Sequence, residues 1–196
     1  MKNIRLVKKE DSEEILNIYK PFIQNTAITF DYDIPSIQKF TEKVSNISNK
    51  YAYLVCEIDE KVAGYAYASS FNERAAYDWA VDLSIYVDDK YQGKGIGKAL
   101  YYTLIETLKI QGYCNMYALV TSSNTRSKNF HEYFDFKLSG TYHSSGYKFE
   151  KWHDVDVFEK IIEDNAKNPH EIIAINKIRE TKEFANIIDN GVLMIK

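Results

Sequence analysis

Apolar and polar residues alternate along IRLVKK near the start of the chain, which predicts a strand. The period then lengthens: Ile15, Ile18, Tyr19 and Phe22 recur at helical spacing in KEDSEEILNIYKPFIQN, with Asp11 or Ser12 placed to cap the helix. After Pro35, Ile37, Phe40, Val44 and Ile47 share one face of a second predicted helix that Ser36 begins. YAYLVCEIDEKVAGYAYASSF reads as two strands around an Asp59-Glu60-Lys61 turn, a hairpin. WAVDLSIYV alternates again, putting Val81, Leu83, Ile85 and Val87 on one face and Asp82, Ser84 and Tyr86 on the other. From Gly95 to Lys109, Ile96, Leu100, Leu104 and Leu108 step by four, and Gly112 stands where a helix stops. CNMYALVT predicts a strand, NTRSKNFHEYF a short helix, and KLSGTYHSSGYKFEKWHDVDVFEK two strands with glycine and serine in the turn. The pattern predicts a mixed α/β (α+β) fold, one central sheet flanked by helices.

The texture changes near the end. Residues 161–196 are poor in aromatics and rich in charge, and NPHEIIAINKIRETKEFANIIDNG predicts an appended helix with Asn168 as cap, Pro169 in its first turn and Gly191 as its stop. We therefore divide the chain into a domain over residues 1–160 and a C-terminal helical extension over 161–196, without internal repeats or low-complexity segments. The apolar stripe of Ile172, Ile175, Ile178, Ala185 and Ile188 would cover either its own domain or a partner subunit.

Composition narrows the function. The 196 residues suffice for one core, and sixteen Tyr and ten Phe supply aromatic walls. A net charge of −3 gives no basic footprint for nucleic acid, and the absence of a long apolar run or signal pattern argues against a membrane partner and for a soluble cytoplasmic protein. Cys56 and Cys114, in strand-like contexts, predict reduced buried thiols.

One stretch points to chemistry. In YVDDKYQGKGIGKAL the glycines precede a helix, as in a phosphate cradle. A Walker A loop is excluded because Lys98 is followed by Ala99, with neither lysine nor hydroxyl in register; a dinucleotide fingerprint fails because Lys98 stands where its third glycine belongs. What remains, Gln92-Gly93-Lys94-Gly95-Ile96-Gly97, lets the backbone approach an anion at a helix N-terminus and suits a pyrophosphate, with Lys94 and Lys98 adding charge.

A strand ending SIYV followed by Q-x-x-G-x-G and a helix resembles the pyrophosphate loop of the GNAT superfamily of N-acetyltransferases. IYKPFIQNTAITFDY, LVCEIDEKVAGYAYASSFNERAAYDWAVDLSIYV, SSNTRSKNFHEYFDF and GYKFEKWHDV are similar to the phosphinothricin (or methionine sulfoximine) N-acetyltransferase branch, over residues 3 to about 158. The resemblance implies acetyl-CoA as co-substrate, held by Gln92, Gly93, Lys94, Gly95, Ile96, Gly97 and Lys98, by Ile85, Tyr86 and Val87 of the splayed strand, and by Asn124 and Ser127 of the short helix. Val87 N–H would stabilise the thioester oxygen, and an asparagine at Asn124 also suits a plain helix cap.

The same resemblance assigns the chemistry. Asp82 would deprotonate the acceptor amine, and a charge in an apolar strand points the same way; the branch usually carries glutamate there, so the shorter side chain favours a bridging water. His131 would protonate the leaving sulfur, against the plain alternative of a satisfied helix histidine. Phe30, Arg74, Tyr77, Trp79 and Lys148 would wall and charge the acceptor pocket, their cations holding a carboxylate or phosphinate. His143 and His153 complete no metal-ligand spacing, and neither cysteine has the setting of a nucleophile, so no metal and direct transfer are expected. The expected acceptor is a glutamate-like amino acid and the expected assembly a homodimer. The rivals are another amine (polyamine, aminoglycoside or protein N-terminus) and a non-catalytic acetyl-CoA sensor.

Overall fold

Strands Lys2–Leu6 (β1), Tyr53–Ile58 (β2), Lys61–Ser70 (β3), Ala80–Val87 (β4), Asn115–Thr121 (β5), Lys137–Lys148 (β6) and Lys151–Ile161 (β7) form one mixed sheet in the computed structural model, which describes residues 1–162 and 168–196. The order is β1-β2-β3-β4-β5-β7-β6, and only the central β4–β5 pair is parallel. Helices Ser12–Asn25 (α1) and Ile37–Ser48 (α2) cover one face. Ile96–Gln111 (α3), Thr125–Tyr133 (α4), the single turn Ile175–Ile178 (α5) and Lys182–Leu193 (α6) cover the other. Among the described residues, no helix is long and apolar enough to cross a membrane.

Strand alternation divides the core in two. Val81 and Leu83 of β4 face α3 in the larger cluster with Leu100, Leu104, Leu108, Met116 and Phe158, while Tyr86 faces the α1–α2 side with Tyr53, Tyr65 and Tyr67. Both cysteines are buried and neither is in a disulfide, and burial pushes the Cys56 thiol up to about 12.

Local chemistry sets most boundaries. Asp59 and Glu60 at φ 50° and 65° turn the β2–β3 hairpin, and Ser36 accepts from Lys39 N at 3.3 Å to start α2. Asp11 fills the cap position of α1 without capping it. Its carboxylate takes both Nη atoms of Arg5, at 2.7 and 2.8 Å, while Arg5 Nε donates to Glu57 at 2.9 Å, which ties β1, β2 and the helix start together.

Two expectations are corrected. The β6–β7 turn is made by Phe149 and Glu150, at φ 53° and 57°; the serines and Gly146 lie inside β6, where the register slips between Tyr142 and Gly146. Gly146 is needed there because the Phe30 ring occupies the space a Cβ would take. The appended helix does not begin at Asn168 and Pro169: residues 168–174 form no helix or strand, α5 starts at Ile175, and α6 is capped by Thr181, which accepts from Phe184 N at 3.2 Å. Tertiary bonds override the helical signal, since Ile173 N donates to Gln111 O at 2.8 Å and Gln111 Nε2 returns a bond to Ile173 O at 2.9 Å. Residues 163–167 of the predicted extension lie outside the described residues. Ile175, Ile178, Phe184 and Ile187 are buried and Ala185 is exposed, so the stripe is shifted from the expected one and covers its own domain.

Gly191 stops nothing. It lies within α6, where a Cβ would overlap Thr103 Oγ1 of α3 and approach Ile4 at 3.2 Å, so glycine is what lets the two helices touch. Gly191→Ala is expected to lower stability by about 1–3 kcal/mol despite its better helix propensity. In thermal melts, Thr103→Ala in the same chain should recover part of that loss; additive losses would contradict the close approach.

Candidate active site

The parallel pairing of β4 with β5 covers only Ala80 with Asn115, Val81 with Met116 and Asp82 with Tyr117, after which the strands part. Asp88 N donates to Ala63 O at 3.0 Å in the β3–β4 register. Bonded pairs in an antiparallel ladder recur at every second residue. Ser84 and Tyr86 therefore bond β3, and the backbone N–H and C=O of Ile85 and Val87 face the gap. The expected backbone role of these two residues has its geometric basis here.

The gap opens into a cleft of about 410 Å³. Ile85, Tyr86, Val87, Gln92, Gly97, Lys98, Asn124 and Ser127 line it, all expected from the sequence. Gly93 and Gly95 take φ of 76° and 84°, turning the chain into α3, whose first amides have no carbonyl within the helix to bond. Ile96 contributes only backbone, its side chain being buried in the core. Lys94 sits over the Tyr91 ring, 5.1 Å from its centroid, and Asn124 caps α4 by accepting from Ser127 N at 3.1 Å. Two helix N-termini thus flank the cleft, an anion-receiving arrangement.

Sequence reading missed Arg126, whose Nη1 donates to Gln92 Oε1 at 2.6 Å and joins α4 to the glycine loop. A cation in the first turn of a helix opposes the macrodipole, and that mismatch was the available signal. Phe130 and Tyr133 were missed too; Tyr133 packs under Lys98 Nζ at 3.4 Å from the ring centroid.

On the opposite face, Asp82 lies between Ser69 and Tyr117 in register. Its Oδ1 is buried without a hydrogen-bond partner, and burial pushes its carboxyl up to about 7, against a smaller opposing effect of the Leu83 backbone N–H. Tyr117 stacks on Phe71 at 4.2 Å, and Phe71 meets Tyr77 at 5.6 Å, giving an aromatic approach to the carboxylate with Arg74 exposed on the same loop.

Three expected site residues take other places. Lys148 is buried and donates to Ile23 O at 2.7 Å and Thr29 O at 2.8 Å, so it pins the loop after α1 and is not free to hold an acceptor. Trp79 gives its indole N–H to His170 O at 2.7 Å, tethering the extension. His131 is 3% exposed in a box with Tyr101, Phe130, Phe136 and Phe158. Its Nδ1 lies 2.7 Å from Ser127 O, a pure acceptor, which favours the tautomer with the ring proton on Nδ1. Burial holds its pKa below the usual value despite that bond, which favours the neutral ring, and in the Nδ1–H tautomer the proton is at Nδ1 and not at Nε2. Phe30 packs on Gly146, its ring 6.1 Å from that of His153. His153 Nε2 is 3.0 Å from Lys148 O, and His143 faces Asp154 at 3.4 Å.

A sheet split at its parallel pair, a glycine loop at a helix N-terminus and a buried carboxylate beside the split define an acyl-transfer enzyme, and the chain belongs to the acetyltransferase (GNAT) domain family, which it matches over residues 4–157. It is 30% identical over 160 residues to a phosphinothricin N-acetyltransferase of Streptomyces viridochromogenes, covering 82% of this chain and 87% of that one. It is 27% identical over 164 residues to an L-methionine sulfoximine/L-methionine sulfone acetyltransferase of Salmonella typhimurium, covering 83% and 96%. A solved phosphinothricin acetyltransferase of Sinorhizobium meliloti in complex with AcCoA superposes with a TM-score of 0.83 at 30% identity, covering 92% of this chain and 99% of that one.

The tautomer of His131 is open to direct measurement. Nitrogen-15 shifts of its ring are expected to show Nδ1 protonated and Nε2 bare at neutral pH and still so at about pH 6.5, where an ordinary histidine is half-charged. A protonated Nε2 at neutral pH would restore the general-acid assignment.

Proposed function

We propose that this enzyme transfers the acetyl group of acetyl-CoA directly to the α-amino group of a glutamate-like amino acid, with phosphinothricin, methionine sulfoximine and methionine sulfone as the named candidates. The observation that carries the reading is the placement of Asp82 at the end of the three-pair β4–β5 ladder, between the coenzyme cleft and the aromatic approach of Tyr117, Phe71 and Tyr77. The names of the Streptomyces and Salmonella relatives supply the acceptor class.

The residues fit an acyl-CoA. Helix N-termini with Lys98 and Arg126 suit its phosphates, the backbone of Ile85 and Val87 suits its amide arm, and Phe130 offers apolar contact. Val87 N–H is placed to meet the thioester oxygen as it gains charge. Asp82 takes a proton from the acceptor ammonium, directly or through one water; the neutral amine forms the new C–N bond as the C–S bond breaks, the nitrogen gives up its second proton to solvent, and the thiolate takes one from solvent. A departing thiol with a pKa near 8.5 does not require a dedicated acid, which agrees with a neutral His131. With Lys148 bound to backbone carbonyls, Arg74 is the cation left to meet the acceptor's acidic group.

A homodimer is part of this reading. The exposed Tyr147, Phe149 and Trp152 of the β6–β7 hairpin are the surface a second copy would cover. Light scattering on the purified protein should give twice 22.8 kDa, and a monomer mass would remove the dimer from the proposal.

Thiol release from acetyl-CoA should be confined to the glutamate-like acceptors in a panel that includes glutamate, spermidine and an aminoglycoside. Turnover with the cationic amines alone would overturn the acceptor class, and coenzyme binding without turnover would indicate a sensor. A base must be deprotonated, so kcat/KM should rise with pH and level off above about 7. Asp82→Asn should lose about 10²- to 10⁴-fold and that pH dependence together. The stability sign is opposite. A carboxyl whose folded pKa is raised stabilises the fold only while protonated, so Asp82 weakens it as pH rises from the ordinary carboxyl range through about 7. Between those limits stability should fall less in Asp82→Asn than in the wild type.

A further inference from the structure

The family match ends at residue 157, and the extension over 168–196 lies beyond it. Yet this segment reaches the glycine loop. Met194 O lies 2.5 Å from the point where a Cβ on Gly95 would sit, so backbone rests directly against the loop at its left-handed glycine. Lys196 N donates to Lys94 O at 2.8 Å, one residue before that turn. Ile195 is buried at 5% exposure, and its carbonyl accepts from Lys2 Nζ at 2.9 Å, which fastens the same segment to β1.

The extension also grips the far end of α3, through the reciprocal bonds of Ile173 and Gln111. Between the two ends, Gly191 brings α6 onto Thr103. Helix α3 is therefore held at both ends by a segment outside the matched domain.

We propose that residues 194–196 are a positioning element for the coenzyme: by docking on Lys94 and Gly95 they hold the glycine loop in the shape that receives the pyrophosphate. This rests on the acetyl-CoA reading above. Two glycines in four residues give the loop wide backbone freedom, and a site ordered before binding loses less entropy when the ligand arrives. The Lys196 N–H removes part of that freedom without touching the ligand. The element should act on coenzyme affinity and leave the acceptor and the chemical step alone.

Proline has no N–H to give Lys94 O, whereas alanine keeps it, so Lys196→Pro and Lys196→Ala separate backbone docking from side-chain charge. Calorimetric titration with acetyl-CoA, steady-state kinetics for both substrates and amide exchange across residues 93–97 are the readouts. Lys196→Pro should bind acetyl-CoA about tenfold more weakly, with faster exchange in the loop. Its kcat, its KM for the acceptor and its melting temperature should stay at wild-type values, and Lys196→Ala should behave as wild type. Unchanged affinity and exchange in Lys196→Pro, with the wild type binding normally, would overturn this inference alone. So would parallel losses in kcat, both KM values and melting temperature, which would mark a merely structural contact. A wild-type protein that binds no acetyl-CoA would overturn the coenzyme reading, and this one with it.

Discussion

The termination of the β4–β5 ladder after Asp82 and Tyr117 is the constraint on which the rest of the site depends. Backbone donors and acceptors need partners, and a strand in the middle of a sheet normally finds them on both sides. Here β4 keeps β3 from Val81 to Val87 and β5 keeps β7 along its full length, so each strand loses only its inner edge, and only beyond the third pair. The amides and carbonyls of Ile85 and Val87 are left facing a space that α3 and α4 border with their positive ends. The cleft is thus a gap in hydrogen bonding as much as a gap in packing, and a ligand carrying both amides and phosphates answers both.

The same break separates two electrostatic environments. Above it the field is positive, from helix termini, Lys98 and Arg126, and suits a polyanion. Below it Asp82 sits with one oxygen buried and unpartnered, and no cation holds it in the charged form; burial comes first among the influences on its pKa. A carboxylate paired with arginine, as Asp11 is with Arg5, is held below its ordinary range and makes a poor base near neutral pH. Asp82, with no guanidinium beside it, is instead pushed up to about 7 by burial. Giving or withholding a guanidinium thus sets two carboxyls of the same type to opposite sides of their ordinary range.

How legible this was in the sequence depended on the range of the signal. Alternation placed Asp82, Ser84 and Tyr86 on one face of β4, and glycines before a four-residue rhythm placed the loop and α3, because such patterns are written in adjacent residues. Ser36 and Asn124 were readable as caps for the same reason. The bonds of Trp79, Lys148 and His131 could not be read ahead because their partners are carbonyls, of His170, of Ile23 and Thr29, and of Ser127. A main-chain carbonyl has no letter in the sequence, so a lysine that binds two of them looks the same as one waiting for a ligand. The glycines at 146 and 191 were read as turn and stop, yet each marks a place where another segment comes too close for a Cβ, which only the tertiary fold reveals.

The extension explains an oddity of α3. A helix that follows a sheet strand usually buries one stripe and shows the rest to water, but in α3 Thr103, Thr107 and Gln111 are as buried as Leu100 and Leu104. The two threonines donate to the carbonyls four residues earlier, Ala99 at 2.8 Å and Thr103 at 2.7 Å, and Gln111 donates to Ile173. Small side chains that satisfy themselves within the helix can be covered at little cost, whereas lysine or glutamate at the same positions would have to be desolvated. The outer face of α3 is therefore already written for a covering helix, and α6, with Gly191 against Thr103, is the element that fits it. In α3 burial thus reaches beyond the sheet-facing stripe to the face that α6 covers, and Lys98 and Lys109 mark the side left to water.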